Sequence, residues 1–255
     1  YRRDVVQRNL RESFPDEDEA WLKRIEKAHF KWFADNFIEV IKGLVMSERT
    51  AQKRCKFADT SVFDRLITNG EPDVLAVAGH YGNWEWAGIS VSTRLPYEIL
   101  GVYKPIKAKA VDALFHYSRA RFGMFLIPMK EARRQLEEHR GSGKLTLLLS
   151  DQYPGRKRGE WFQFLNQPTK VFMGPEALAK KHDIPVVFGS IRRVKRGYYE
   201  IHVELVTDQP RELPEGELTR RHVQMLEAEI RRDPTPWLWS HKRWKHAPPE
   251  DAVIN

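Results

Sequence analysis

His80 and Glu85 are the pair of side chains best suited to acid–base chemistry in this sequence. A carboxylate that holds one imidazole nitrogen leaves the other nitrogen free to take a proton from an alcohol. We therefore expect Glu85 to fix the tautomer of His80 and the imidazole to activate a hydroxyl group directly, without a serine or cysteine nucleophile. The alternative is a capped helix whose histidine happens to follow a strand, because H-x-x-x-x-E often occurs by chance.

The elements around this pair must bring the two side chains to one place. On a continuous helix, five residues turn by about 140°, so a shared site requires a break between His80 and Glu85. Gly82 permits a turn there, and Asn83 can cap the helix that carries Glu85. The short apolar run Val74–Ala78 predicts a buried strand, so His80 would stand where a strand ends and a helix begins, a common place for chemistry in α/β proteins.

Strand and helix patterns alternate along the rest of the chain. Strands separated by helices indicate βαβ units, so the predicted fold class is α/β, with a mixed, mainly parallel sheet flanked by helices. We expect a single domain over 1–255, with an N-terminal helical segment at about 1–56 and an α/β core at about 57–245. The further strands are predicted at 97–103, 125–128, 145–150, 186–191 and 199–205, and the helices at 108–122, 131–139, 174–182 and 218–232.

The N-terminal segment predicts a helix, capped by Asp16, with one aromatic and apolar face. A face that packs on the core is the first expectation, and a face that meets lipid or lines an acyl chain is the alternative. The face consists of Trp21, Leu22, Ile25, His29, Phe30, Phe33, Phe37, Val40 and Ile41.

Charge and cysteine content narrow the possible partners and sites. The chain has 43 Lys and Arg against 35 Asp and Glu, a net charge of +8, which attracts phospholipid headgroups, acidic carrier proteins or nucleic acid. Cys55 is the single cysteine, so an intrachain disulfide and a cysteine-based zinc site are excluded. The histidines show no metal-ligand spacing, and we predict no metal. The sequence has no apolar run of about twenty residues and no secretory signal.

Four blocks spread along the chain combine polar, aromatic and basic residues in a fixed order and spacing. They are AGHYGNWE at 78–85, VYKP at 102–105 followed by SRARFG at 118–123, SDQ at 150–152, and PWLWSHKRWK at 236–245. They resemble the H-x4-[DE], Y-[RK]-P with R-x-R, D-Q and W-x-H-[KR]-R-[FW]-K motifs of the late lipid A acyltransferases, the lauroyl and myristoyl transferases of Gram-negative bacteria. The segment from Arg8 to Pro15 is also similar to the start of that family, so the resemblance covers nearly the whole chain.

The resemblance implies a glycerolipid-acyltransferase-like fold and an O-acyltransferase without a cofactor. The donor would be acyl carrier protein, or coenzyme A, and the acceptor a hydroxyl of a lipid A precursor or a related glycolipid. The enzyme would work at the cytoplasmic face of the bacterial inner membrane, held there peripherally or by an N-terminal helix that is absent from this chain. Asp151-Gln152-Tyr153 lacks the second acid of the D-x-D forms, which leaves the identity of the acceptor open.

The resemblance also assigns roles to residues. His80 and Glu85 become the catalytic pair, with an essential basic role for either Arg119 or Arg121 and a place in the site for Asp151. The basic cluster 156–158 directly follows and is favoured for headgroup binding. The residues predicted to bind substrate are therefore Asn83, Lys104, Arg119, Arg121, Asp151, Gln152 and Arg156.

Two other functions remain open on sequence grounds. A lysophospholipid or aminolipid acyltransferase shares the His/acid motif but usually carries an E-G-T block, which this chain lacks. A non-catalytic basic module could bind a membrane or nucleic acid. The basic residues form no single stripe, and such a module gives no reason for a histidine, a glycine and two polar residues to follow a buried strand, so we expect no nucleic-acid partner.

Overall fold

The computed structural model describes residues 1–68, 73–138, 141, 143–155 and 159–255. Its strands form a seven-stranded sheet and a separate two-stranded hairpin. They are β1 (Cys55–Phe57), β2 (Val74–Ala78), β3 (Glu98–Tyr103), β4 (Phe125–Pro128), β5 (Lys144–Leu149), β6 (Glu160–Phe164), β7 (Gln167–Val171), β8 (Val186–Lys195) and β9 (Tyr198–Thr207).

The large sheet has the strand order β1-β9-β8-β2-β5-β3-β4, and β6 pairs with β7 alone. Among the described strands of the large sheet, only β8 and β9 run antiparallel to each other. The predicted mixed, mainly parallel α/β sheet is thus confirmed. The central strand β2 and its neighbour β5 are parallel, which places their carboxyl ends side by side.

Helices cover both faces of this sheet. They are α1 (Arg3–Ser13), α2 (Glu19–Gly43), α3 (Glu48–Arg54), α4 (Ser61–Thr68), α5 (Trp84–Arg94), α6 (Lys109–Ala120), α7 (Ala132–Glu138), α8 (Gly174–His182) and α9 (Glu217–Arg232), with a short 3₁₀ turn at Pro210–Glu212. Among the described residues, no helix is both long and apolar enough to cross a bilayer.

Two hydrophobic cores share the central strand β2, because successive side chains of a strand point to opposite faces of the sheet. Leu75 and Val77 pack in the core that also contains residues of α1, α2 and α9. Val74 packs in the other core, with residues of α3, α4 and α5. Since helical and sheet residues from both halves of the chain meet in these cores, we propose that residues 1–255 form one domain.

Most observed boundaries lie close to the predicted ones, with three omissions. Helix α8 has the predicted bounds, β3 starts one residue after its predicted start, β5 is shifted by one residue at both ends, and β8 extends to Lys195 instead of Ile191. The sequence analysis missed β1, α4 and the β6–β7 hairpin. The cap of α2 is Asp18 instead of Asp16, since the Asp18 carboxylate accepts a hydrogen bond from the backbone N–H of Trp21 at 2.7 Å.

The expectation that α2 turns its apolar face to the core is correct for only part of the helix. Leu22, Ile25 and His29 are buried, as expected. Phe37 and Ile41 are exposed, and the expectation is wrong for them, because in this half of the helix the polar side chains occupy the buried side.

Candidate active site

The register of β2 and β5 brings His80 and Asp151 together across 71 positions of sequence. Ala78 pairs with Leu149 at the carboxyl ends of the two strands, and the backbone N–H of Ser150 continues the ladder by donating to the Ala78 carbonyl at 3.0 Å. His80 lies two residues after the end of β2, and Asp151 lies two residues after the end of β5. The site therefore lies at the carboxyl edge of a mainly parallel sheet, where α/β folds commonly bind ligands.

Asp151 is the carboxylate that holds the imidazole of His80. Nδ1 of His80 donates to one carboxylate oxygen at 2.5 Å, while the backbone N–H of His80 and the indole N–H of Trp237 donate to the other at 2.8 and 2.9 Å. Burial alone would raise the pKa of the Asp151 carboxyl, but the charge and hydrogen bonds of His80, with the bond from Trp237, lower it to about 2. An ionised Asp151 accepts from Nδ1–H and so leaves Nε2 of His80 as the basic atom.

Nε2 of His80 faces the accessible side of the site. The side chain of His80 is 16% exposed, against 3% for Asp151. A substrate can therefore contact the imidazole, whereas the carboxylate that orients it is buried. The exposed Gln152 places its amide nitrogen 3.2 Å from Nε2. The Trp84 ring packs edge-on against the imidazole, with ring centroids 5.1 Å apart. An acceptor hydroxyl could take the place of the Gln152 amide at Nε2.

Glu85 does not hold His80, and this expectation is wrong. The carboxylate of Glu85 accepts two hydrogen bonds from Arg119, at 2.9 Å from Nε and 2.7 Å from Nη2, and a third from the Trp84 indole at 3.2 Å. Although burial lowers the pKa of Arg119, the hydrogen bonds and charge of Glu85 raise it overall. The two residues of the H-x4-E motif therefore belong to two different ion pairs, His80–Asp151 and Arg119–Glu85, and Trp84 contacts one member of each.

Asn83 supports the site from inside the protein. Its side-chain oxygen caps α5 by accepting from the backbone N–H of Trp86 at 3.0 Å, and its amide donates to the carboxylate of the buried Glu39 at 2.9 Å. The predicted cap is confirmed. Because Asn83 is fully buried and both ends of its side chain are bonded within the protein, its predicted contact with substrate is not what the structure shows.

Gly82 makes the break between His80 and the helix that carries Glu85. Its φ is +65°, a left-handed value that glycine adopts easily. A Cβ at this position would lie 2.1 Å from the Ile191 carbonyl oxygen, so no larger residue fits. The Gly82 N–H donates to the Pro236 carbonyl at 2.8 Å, which fastens the loop to the same C-terminal segment that supplies Trp237.

Comparison with known proteins identifies the family of the chain. The family of bacterial lipid A biosynthesis acyltransferases matches residues 1–246. The chain belongs to this family. A lipid A biosynthesis acyltransferase of Haemophilus influenzae is 23% identical over 249 residues, which cover 96% of this chain and 78% of that protein. The chain is therefore an acyltransferase, and the alternative of a non-catalytic basic module is wrong.

The two arginines of the acyltransferase block have different partners. Arg119 binds Glu85, whose carboxylate also accepts from the indole of Trp84, the residue that packs on His80. Arg121 instead donates to the carbonyls of Gly43 and Met46 at 2.5 and 2.6 Å, where α2 ends and α3 is about to begin. Of the pair left open by the sequence, Arg119 is connected to His80 through Glu85 and Trp84, and Arg121 attaches the end of α6 to the end of α2 and the loop that follows it.

The structure describes two of the three remaining residues that were predicted to contact substrate. Lys104 is exposed directly after β3, and Gln152 is exposed at His80. Arg156 lies outside the described residues. In the described part of the chain, no group of three or more His, Cys, Asp or Glu side chains could hold a metal ion.

The C-terminal block contributes two residues whose roles the sequence analysis did not assign. Trp237 donates to Asp151, and His241 accepts a hydrogen bond from the backbone N–H of Tyr153 at 3.3 Å. Burial lowers the pKa of His241 to about 4, which keeps its Nε2 an acceptor. The only sequence signal for these roles was membership of the same ordered set of blocks.

Proposed function

We propose that this acyltransferase moves a fatty acyl group from a thioester of acyl carrier protein or coenzyme A to a hydroxyl of a lipid A precursor or a related glycolipid. The observation that carries the proposal is the bond between Nδ1 of His80 and the buried Asp151 carboxylate, 2.5 Å long, at the carboxyl edge of the sheet. It gives the chain an accessible base that can activate the acceptor hydroxyl directly, so the proposed reaction needs no covalent nucleophile on the protein. The family match and the Haemophilus influenzae relative support the class of acceptor.

The proposed step needs one proton transfer in each direction. Nε2 of His80 removes the proton of the acceptor hydroxyl while the oxygen attacks the thioester carbonyl carbon. The C–O bond forms, the C–S bond breaks, and the departing thiolate takes the proton back from the imidazolium. Asp151 stays ionised throughout and stabilises the imidazolium, as its low pKa requires.

Glu85 acts in this proposal through Arg119. The two-point hydrogen bond between them fixes the guanidinium next to the base, with only 23% of the Arg119 side chain exposed. A fixed, partly desolvated positive charge is suited to stabilise the oxyanion of the tetrahedral intermediate or a phosphate of the acceptor. The rest of the proposed substrate contacts are Lys104, Gln152 and Arg156.

The proposed place of work is the cytoplasmic face of the bacterial inner membrane. The chain carries a net charge of +8, which favours both an anionic lipid surface and an acidic carrier protein. Members of this family are membrane-associated in bacteria.

A mass-spectrometric assay tests the donor and the acceptor together. The wild-type protein and His80→Ala are offered acyl carrier protein and coenzyme A thioesters of several chain lengths, with lipid A precursors and lysophospholipids as acceptors. We expect a new ester on the lipid A precursor with the wild-type protein alone. Esters on lysophospholipids alone would contradict the proposed acceptor, and equal product from His80→Ala would contradict the proposed base.

A further inference from the structure

The C-terminal half of α2 has its polarity inverted. Its buried side carries Asp35, Asn36 and Glu39, each about 5% exposed. Its opposite side is apolar and open to solvent: Phe37 is 64% exposed, Ile38 48% and Ile41 50%, and Val45, two residues past the end of the helix, is 84% exposed. These four residues are here called the outer face. A water-facing surface helix normally shows the reverse arrangement. Within α2 the outer face spans a little more than one turn, from Phe37 to Ile41, and the exposed Lys42 lies at its edge.

The charges on the same helix are sorted by burial. The acidic residues of α2 beyond its first turn, Glu26, Asp35 and Glu39, are all buried. The lysines are exposed, and Lys23, Lys27 and Lys31 lie at intervals of four residues, on the side of the helix that becomes the outer face further on. Lys31 lies roughly 15 Å along the axis from Ile41. The exposed side of α2 is therefore cationic at one end and apolar at the other.

The inverted half of α2 is attached directly to the catalytic loop. On its buried side, Glu39 accepts from the Asn83 amide at 2.9 Å, and its backbone carbonyl accepts from the Trp86 indole at 2.8 Å. At its end, the Gly43 carbonyl accepts from Arg121 at 2.5 Å. Whatever the outer face contacts is thereby held about one helix diameter, roughly 10 Å, from the loop that carries His80.

We propose that the outer face of α2 inserts into the surface of an anionic phospholipid bilayer. An apolar face beside a row of lysines, with the acidic groups turned inward, is the pattern of a helix that lies in a lipid interface. Lysines at the headgroups and apolar side chains at the acyl boundary would tilt α2 with its C-terminal half down. The inference rests on the proposed function only in that a lipid acceptor has to be reached from a bilayer.

Vesicle binding tests the inference without any substrate. Sedimentation with phosphatidylcholine vesicles, with and without phosphatidylglycerol, is compared for the wild-type protein and the double variant Phe37→Ser, Ile41→Ser. Exposed side chains can be replaced without loss of core packing, and the unfolding midpoint in denaturant verifies this. The matched control is Met129→Ser, Val253→Ser, two exposed apolar residues elsewhere, at 46% and 75% exposure.

We expect the wild-type protein and the control to bind the anionic vesicles and the double variant to bind at least about tenfold more weakly. Equal binding by the double variant would overturn the inference. So would a wild-type dimer that the double variant converts to a monomer, or a loss of binding to isolated acyl carrier protein with vesicle binding unchanged. If the protein lacked the proposed acyl transfer, the vesicle result would still stand, so the two failures are distinguishable.

Discussion

The imidazole of His80 and the guanidinium of Arg119 each have a carboxylate of their own. Asp151 takes the first and Glu85 the second, and their side chains are only 3% and 12% exposed. Carboxylates so shielded from water interact strongly with their partners. The proton chemistry of the base and the fixed charge of Arg119 can therefore be altered separately by mutation.

The Glu85–Arg119 pair should behave as a unit in catalysis. We predict that Glu85→Gln and Arg119→Gln each lower kcat/KM for acyl transfer by about a hundredfold, and that the double variant is no slower than the worse single variant. The four rates are measured with the same donor and acceptor. The exposed pair Arg134–Glu138 provides the control, and Arg134→Gln should leave the rate unchanged. Losses that multiply in the double variant would show that the two residues act independently.

The sequence could provide the residues of the site but not their pairing. His80, Glu85, Arg119 and Asp151, which we propose to carry the chemistry, are all among the residues singled out from the sequence. Which carboxylate meets the imidazole depends on β2 and β5 being neighbours, a fact of sheet order that the spacing H-x4-E does not contain. The same holds for Trp237, whose indole reaches Asp151 across 86 positions.

At the scale of elements, the short turn between β2 and α5 decides whether His80 reaches Asp151. Hydrophobic periodicity predicted β2, α5 and most other elements, because burial of their apolar faces is a local pattern. It failed for the β6–β7 hairpin, in which β6 mixes aromatic and polar residues and β7 is mostly polar, and for α2, whose C-terminal half exposes its apolar side. In both cases tertiary surroundings override the local pattern.

The turn can be tested through two glycines that share a left-handed conformation. Gly82 has a φ of +65° with the Ile191 carbonyl in the way of a Cβ, whereas Gly123 has a φ of +91° with open space around it. We predict that Gly123→Ala lowers the free energy of unfolding by about 1 kcal/mol, from backbone strain alone. Gly82→Ala should cost about 3 kcal/mol or more, because the loop must also move away from Ile191. Denaturant unfolding measures both, and equal losses would contradict the account of the loop.

At the scale of the whole molecule, buried histidines make stability depend on pH, and His29 and His222 share the lowered pKa of His241. Burial lowers the pKa of His29 and of His222 to about 4, from 6.5 in an unfolded chain. Nδ1 of His29 lies 3.2 Å from the Thr235 carbonyl, and Nε2 of both residues is buried without a hydrogen-bond partner in the described structure. The folded protein thus keeps both imidazoles neutral.

Between pH 6.5 and about 4 these histidines bind protons in the unfolded chain but not in the folded protein. The free energy of unfolding therefore falls as the pH falls. We predict a loss of about 1.5 kcal/mol between pH 6.5 and 5 for each of His29, His222 and His241. Denaturant unfolding across this range measures the loss. His222→Leu should make the dependence shallower by one proton, and a slope equal to that of the wild-type protein would contradict the assignment.

Net charge is a whole-molecule property that the sequence gives without its distribution over the surface. An excess of eight positive charges predicted anionic partners. It could not predict which surface meets them, because that depends on burial: Glu26, Asp35 and Glu39 leave the surface when α2 packs, and its lysines stay. A count of charges along the chain does not separate these groups.

The rate of acyl transfer by His80→Ala, Asp151→Asn and the double variant tests the central claim most directly. If Asp151 orients His80 and stabilises its imidazolium form, each single variant should lose at least about a hundredfold in kcat. The double variant should then be no slower than His80→Ala. Unfolding midpoints confirm that all three proteins are folded. A well-folded Asp151→Asn with the wild-type rate, or losses that multiply in the double variant, would contradict the claim that His80 and Asp151 act as one catalytic unit.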